Sequence, residues 1–237
     1  MPKNINRPSH FTKRRAAKQD PRGAESESHR LSQFIVDGLA RADAARGRDL
    51  VEIDANRLPH VDAEYAWALG SPSDPDGDPA GSLHQSDHLI QSLVDADYVV
   101  IATPMHNYTV PSALKAWIDH VVRVRSTFSV TREGKVGVLA DKPVFVAVAS
   151  GGLFSGGEAR QPDFLTPYLK AALATIGLKR LTFFSVEGTA MGGQALEAAR
   201  LRTQAEIAAY FADAADTLAA VAVQAPRGDS LSGTDRP

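Results

Sequence analysis

The chain has 237 residues, 26 Lys+Arg against 28 Asp+Glu for a formal net charge of -2, and no cysteine. The missing cysteines exclude disulfide scaffolds, thiol nucleophiles, iron–sulfur clusters and thiolate zinc sites. Near-neutral charge argues against a nucleic-acid binder working through bulk charge, and no apolar run reaches the roughly 20 residues of a membrane helix, so the expectation is a soluble, cytoplasmic protein.

In chain order, the first segment is the odd one. Met1 to Arg22 holds seven basic residues (Lys3, Arg7, Lys13, Arg14, Arg15, Lys18, Arg22) against one acidic residue, Asp20. It lacks the apolar stretch of a signal peptide and the apolar face of a transit peptide, so residues 1–22 read as a basic, disordered leader. Leu31, Phe34, Ile35 and Leu39 then recur at helical spacing over Ser26 to Arg41, with Ser26 or Ser28 placed to cap. Leu50 to Ile53 is a short strand, and Gly70 to Gly81 a surface loop rich in Gly, Pro, Asp and Ser. A helix over Leu83 to Asp97 leads into Tyr98-Val99-Val100-Ile101-Ala102, apolar at every position as a doubly covered parallel strand is. The alternation continues with a helix over Pro111 to Val122, a strand over Val144 to Ala149, a helix over Phe164 to Ile176 closed by Gly177, a strand over Leu181 to Val186, and a helix over Gln194 to Val223. Residues 224–237 form a polar tail. Its Arg227-Gly228-Asp229 is too short to carry meaning as an adhesion tripeptide.

Strands alternating with helices imply a doubly wound parallel α/β sheet whose ligands sit at the carboxyl ends of the strands. Three segments there carry chemistry. Thr103-Pro104-Met105-His106-Asn107-Tyr108 follows one strand; Pro104 stiffens it, Asn107 tolerates unusual backbone angles, and Met105 and Tyr108 offer apolar contact to a planar ligand. Ser150-Gly151-Gly152 follows the next, where two glycines let backbone N–H groups approach a ligand closely. Gly23-Ala24-Glu25-Ser26-Glu27-Ser28-His29 opens the first helix, where hydroxyls and N–H groups form an anion site provided the glutamates turn away. Each has a plain reading as a turn or a cap. Together they describe phosphate donors, a planar-ring cradle and a second donor loop, the layout for flavin mononucleotide in a flavodoxin-like sheet.

The blocks "YVVIATPMHNYTVPSALKAWIDHVVRVRSTF", "VFVAVASGGLFSGG" and "DFLTPYLKAALATIGLKRLTFFSVEG", with "ESESHRLSQFIVDGL" a fainter fit, resemble the FMN-dependent NADH:azoreductases and NAD(P)H:quinone reductases of the flavodoxin-like superfamily. The resemblance spans residue 23 to about 223, which it frames as one FMN-binding domain between leader and tail. It implies that Met105, His106, Asn107 and Tyr108 hold the isoalloxazine, although the family often has tyrosine where His106 stands. It implies that Ser150, Gly151 and Gly152 meet the pyrimidine end, that Ser26, Glu27 and Ser28 meet the phosphate, and that Phe128 lines the substrate side. The implied activity is two-electron ping-pong transfer from NADH or NADPH through flavin N5 to quinones and azo compounds. No catalytic side chain or metal is implied, and a homodimer has both sites at its interface.

One departure stands out. The family's sheet begins with an apolar central strand, and here that place holds Phe11 to Asp20 with Lys13, Arg14, Arg15 and Lys18. Unpaired charge buried there costs several kcal/mol per residue, about 3–5 where a pair is broken, so the first strand is expected to be missing or degraded. The alternative function is then a catalytically impaired relative acting as a binding protein.

Overall fold

The computed structural model describes residues 14–18, 26–42, 50–73 and 80–223; side chains of 14–18 and 213–223 are outside the description. The leader residues 1–13, the segment Gly23 to Glu25 and the 224–237 tail therefore lie outside the described residues.

Five strands form one parallel sheet: β1 (Arg14–Lys18), β2 (Leu50–Asp54), β3 (Val99–Pro104), β6 (Val144–Ala149) and β7 (Leu181–Val186), in the order β2-β1-β3-β6-β7. Counted along the sheet this is 2-1-3-4-5, the flavodoxin-like order. A separate antiparallel hairpin pairs β4 (Phe128–Thr131) with β5 (Gly134–Gly137). The helices are α1 (Glu27–Ala42), α2 (Ala63–Gly70), α3 (Gly81–Asp95), α4 (Ser112–Val121), α5 (Leu165–Thr175) and α6 (Gly193–Val223).

The expectation of a missing first strand is corrected. Arg14–Lys18 is the central strand, pairing in parallel with β2 from Arg14↔Leu50 to Lys18↔Asp54 and with β3 from Arg15↔Val99 to Lys18↔Ala102. Ladder hydrogen bonds belong to the main chain, which any residue but proline supplies in full, and the facing edges of β2 and β3 both require a partner. The strand is also short. Arg14 precedes the first residue of β3 and Lys18 is the last in register, so Arg15, Ala16 and Ala17 alone occupy the middle.

Period-2 alternation sorts the wholly buried strands β3 and β6 onto two cores. Val99, Ile101, Val144, Val146 and Val148 face α3, α4 and α5 through Leu89, Leu93, Leu114, Trp117, Leu169 and Leu173. Tyr98, Val100, Phe145 and Ala147 face α1 and α6 through Leu31, Ile35, Leu39, Ile207 and Phe211. Gly38 permits the closest approach of α1 to α6, since a Cβ there would stand 2.3 Å from Phe211 Cδ2. At the end of α5, Gly177 takes φ 107 and Leu178 donates back to the Leu173 carbonyl at 3.0 Å, the closure expected of a glycine C′ residue. Two elements were not anticipated from the sequence: α2, capped by Asp62 accepting from Tyr65 N–H, and the β4–β5 hairpin.

Candidate functional site

The three loops that the sheet aims at a ligand leave β1, β3 and β6, which are neighbours. After β1 comes the N-terminus of α1. Ser26 Oγ accepts from His29 N–H at 3.2 Å and the Ser26 carbonyl accepts from Arg30 N–H at 3.0 Å, so Ser26 caps the helix. Ser28 is fully buried, its hydroxyl 3.5 Å from that of Ser26. Glu27 turns towards α6, where Arg200 grips it with Nε to Oε2 at 2.8 Å and Nη2 to Oε1 at 2.5 Å. The guanidinium thereby neutralises the carboxylate that would oppose an anion at this helix end, and the paired Arg200 is held well above its ordinary pKa by its bonds to Glu27 and Glu197. A groove of about 490 Å³ between α1 and α6, lined by Glu27, Arg30, Phe34 and Arg200 among others, lies over this pair and reaches Val186 at the end of β7.

After β3, the chain makes a tight reversal. His106 N–H donates to the Thr109 carbonyl at 3.0 Å and Thr109 N–H returns to His106 at 2.9 Å. Asn107 and Tyr108 between them have φ 48 and φ 68, the two positive values of a type I′ turn. His106, Asn107 and Tyr108 are exposed at its tip, while Met105 at its base is buried and tied to β6 by its N–H on the Ala149 carbonyl at 2.8 Å.

After β6, Ser150 is buried and its N–H donates to Val186 O at 3.0 Å. The carbonyls of Ser150, Gly151 and Gly152 accept from Thr189, Ala190 and Gly188. The N–H groups of Gly151 and Gly152 have no partner among the described residues and remain available as donors. Glu187 clamps the following turn by accepting from Phe154 N–H at 2.6 Å and Ser155 N–H at 3.1 Å.

Met105 and Ser150 are thus brought together, Sδ to Oγ 3.9 Å, and His106, Asn107, Tyr108, Gly151 and Gly152 flank them on the same two loops. Ser26, Glu27 and Ser28 stand at the helix end after the adjacent strand. Phe128 is the exception. It is buried in the hairpin under Lys135 Nζ, 5.1 Å from its ring centroid. It pairs with Gly137, which lies against Gly177 at the end of α5, just before β7 begins. That is the amino end of the sheet, roughly 20 Å of strand from the loops. The sequence reading also missed Gln161, which bridges Ser150 and Met105, and Phe164, an exposed aromatic whose N–H donates to the Tyr108 carbonyl at 3.0 Å. Gln161 lies between the quoted blocks, and Phe164 lies in the third of them but was read there only as the start of a helix.

The flavodoxin-like fold family matches residues 18–211. The chain belongs to that family. It is 46% identical over 183 residues to an FMN-dependent NADH:quinone oxidoreductase of Burkholderia lata, covering 76% of this chain and 87% of that one. A second such oxidoreductase, of Pseudomonas fluorescens, is 46% identical over 180 residues, covering 75% and 85%. Among solved structures, an azoreductase of Bacillus anthracis superposes with a TM-score of 0.72 at 25% identity, covering 84% of this chain and 98% of that one. Within the flavodoxin-like family, the chain falls with the FMN-dependent NADH:quinone oxidoreductases.

Proposed function

We propose that this protein is an FMN-dependent NADH oxidoreductase that reduces quinones and azo compounds by two electrons in the cytoplasm, as a homodimer. The observation that carries the reading is the pair of Gly151 and Gly152 N–H groups, unpartnered among the described residues, on the loop beside the rigid I′ turn at adjacent strand ends. When bound, FMN would supply a hydride acceptor and donor at one ring atom, so the protein itself supplies no nucleophile and little acid–base apparatus beyond the proton that completes the reduced acceptor.

The protein's part is to bind and orient. Ser26, Ser28 and the α1 N-terminus receive the phosphate, with Glu27 silenced by Arg200. Met105 and the turn at Asn107–Tyr108 give the ring a fixed, partly apolar wall. The glycine donors hold the negative charge that reduction places on the pyrimidine edge, as an oxyanion hole does. Tyr108 and Phe164, 48% and 60% exposed and joined through the backbone, offer an aromatic face to a planar acceptor.

Phe128 supports the dimer reading. In its own subunit it lies at the wrong end of the sheet, so it reaches a flavin only across an interface, and the hairpin that carries it exposes Val130, Val136 and Val138. The alternative of an impaired binding protein rested on a missing central strand, and β1 is present. A yellow protein absorbing at about 450 nm, eluting as a dimer and oxidising NADH with menadione, is the expected result. A colourless chain to which added FMN does not bind refutes the proposal.

A further inference from the structure

Gln161 touches Met105, Ser150 and Gly152, on both loops that would meet the inner end of a flavin. Its Nε2 donates to Ser150 Oγ at 2.9 Å and its second N–H is spent on Met105 Sδ at 3.2 Å. Its Oε1 has no partner among the described residues and occupies the space where a Cβ on Gly152 would stand, 2.3 Å away, so only glycine admits the side chain. The backbone beneath is fixed: Arg160 and Gln161 N–H both donate to the Leu153 carbonyl, at 2.9 and 3.2 Å, and Glu187 clamps the turn that follows Leu153. Only the end of the side chain is free to change partners.

A thioether is a weak acceptor. An amide N–H resting on sulfur, beside a second buried acceptor and two unpartnered glycine N–H groups, is a donor in reserve for a better acceptor. We propose that Gln161 is a cofactor-contacting residue, whose amide leaves Met105 and donates to a carbonyl or ring-nitrogen acceptor on the pyrimidine edge of the bound flavin. This rests on the flavin reading above and adds a ligand to it. The retained bond to Ser150 Oγ aims the amide, so the donor arrives oriented and adds to the charge stabilisation from Gly151 and Gly152.

The test is flavin affinity and flavin redox potential, measured on full-length wild type, Gln161→Leu and Gln161→Glu. Leucine keeps the bulk and loses the donors; its FMN Kd is expected to rise about tenfold, equivalent to about 1.4 kcal/mol, with the midpoint potential of the bound flavin lowered because the reduced, negatively charged form loses a donor. Glutamate should weaken binding further and lower the potential more, since it opposes that charge. If both variants bind FMN as wild type does with unchanged potentials, Gln161 is only a structural brace and the proposal falls, whatever happens to their melting temperatures. A wild type that itself holds no FMN overturns the flavin reading and this assignment with it, a result distinguishable from the first.

Discussion

Arg200→Ala tests the electrostatic logic of the phosphate end. Arg200 holds Glu27 through two short bonds and Glu197 at 3.1 Å, with side chains 26% and 14% exposed for Arg200 and Glu27. Exposed pairs contribute up to about 1 kcal/mol and fully buried ones cost about 3–5 when broken, so a pair this sheltered should cost about 2 kcal/mol. For a domain of this size that lowers the melting temperature by roughly 4–8 °C. The functional consequence is separate. Without the guanidinium, Glu27 keeps its negative charge at the first position of α1, where the phosphate is to sit. At roughly 7 Å and an effective dielectric between about 20 and 80, repulsion per unit phosphate charge is about 0.6–2.4 kcal/mol, or about 3- to 60-fold in FMN Kd. Glu27→Gln added to Arg200→Ala removes that charge and should restore FMN affinity while leaving most of the stability loss. Thermal melts of the apoprotein and FMN titrations of both variants separate the two effects. An Arg200→Ala protein that melts lower yet binds FMN as tightly as wild type would show that the α1 N-terminus is not the phosphate seat.

Three further outcomes are expected. Asn107→Val places a β-branched residue at φ 48, a strain of about 1–3 kcal/mol, and should weaken FMN binding in a titration about tenfold, whereas Asn107→Gly should bind as wild type. Gly38→Ala gains about 1 kcal/mol of helix propensity but drives a Cβ to within 2.3 Å of Phe211, where overpacking costs about 1–3 kcal/mol. Urea denaturation should show a net loss that Phe211→Leu in the same chain relieves. The Asp62 carboxyl is held below its ordinary value chiefly by the Tyr65 and Ser82 backbone N–H groups. A depressed folded pKa means stability present above about pH 4 and lost as the pH falls through the folded value. Asp62→Asn should therefore flatten the pH dependence of unfolding below about pH 4 and lower stability at neutral pH.

The elements that were legible in the sequence are those whose burial is complete. Val144–Ala149 and Leu181–Val186 match their predicted bounds, and the helices fall within two residues of theirs, because wholly apolar runs and 3.6-residue spacing leave one solution. The Met105 loop and Ser150-Gly151-Gly152 were legible because ligand loops in such a sheet follow strand ends, and Asn and Gly mark unusual backbone. Gln161 was not, because nothing local distinguishes a glutamine that reaches back eleven positions to Ser150. The hairpin escaped for a related reason: beyond the buried Phe128 its strands carry only exposed valines, Val130 on one face and Val136 on the other, so no apolar core face runs their length.

Arg14–Lys18 failed in the opposite sense, since composition was read as if it decided strand membership. What decides it in the middle of a parallel sheet is the demand of two flanking backbones, and in this chain β2 makes that demand over Arg14–Lys18 and β3 over Arg15–Lys18. The correction also moves charge. Three of the seven basic residues of the supposed leader belong to the sheet, so the part of the chain from residue 14 onward carries 23 basic against 28 acidic residues, a net of -5. Drawn at residue 23, the same boundary leaves 19 against 27, a net of -8. The body that includes the central strand is thus less acidic than a boundary at Gly23 implies.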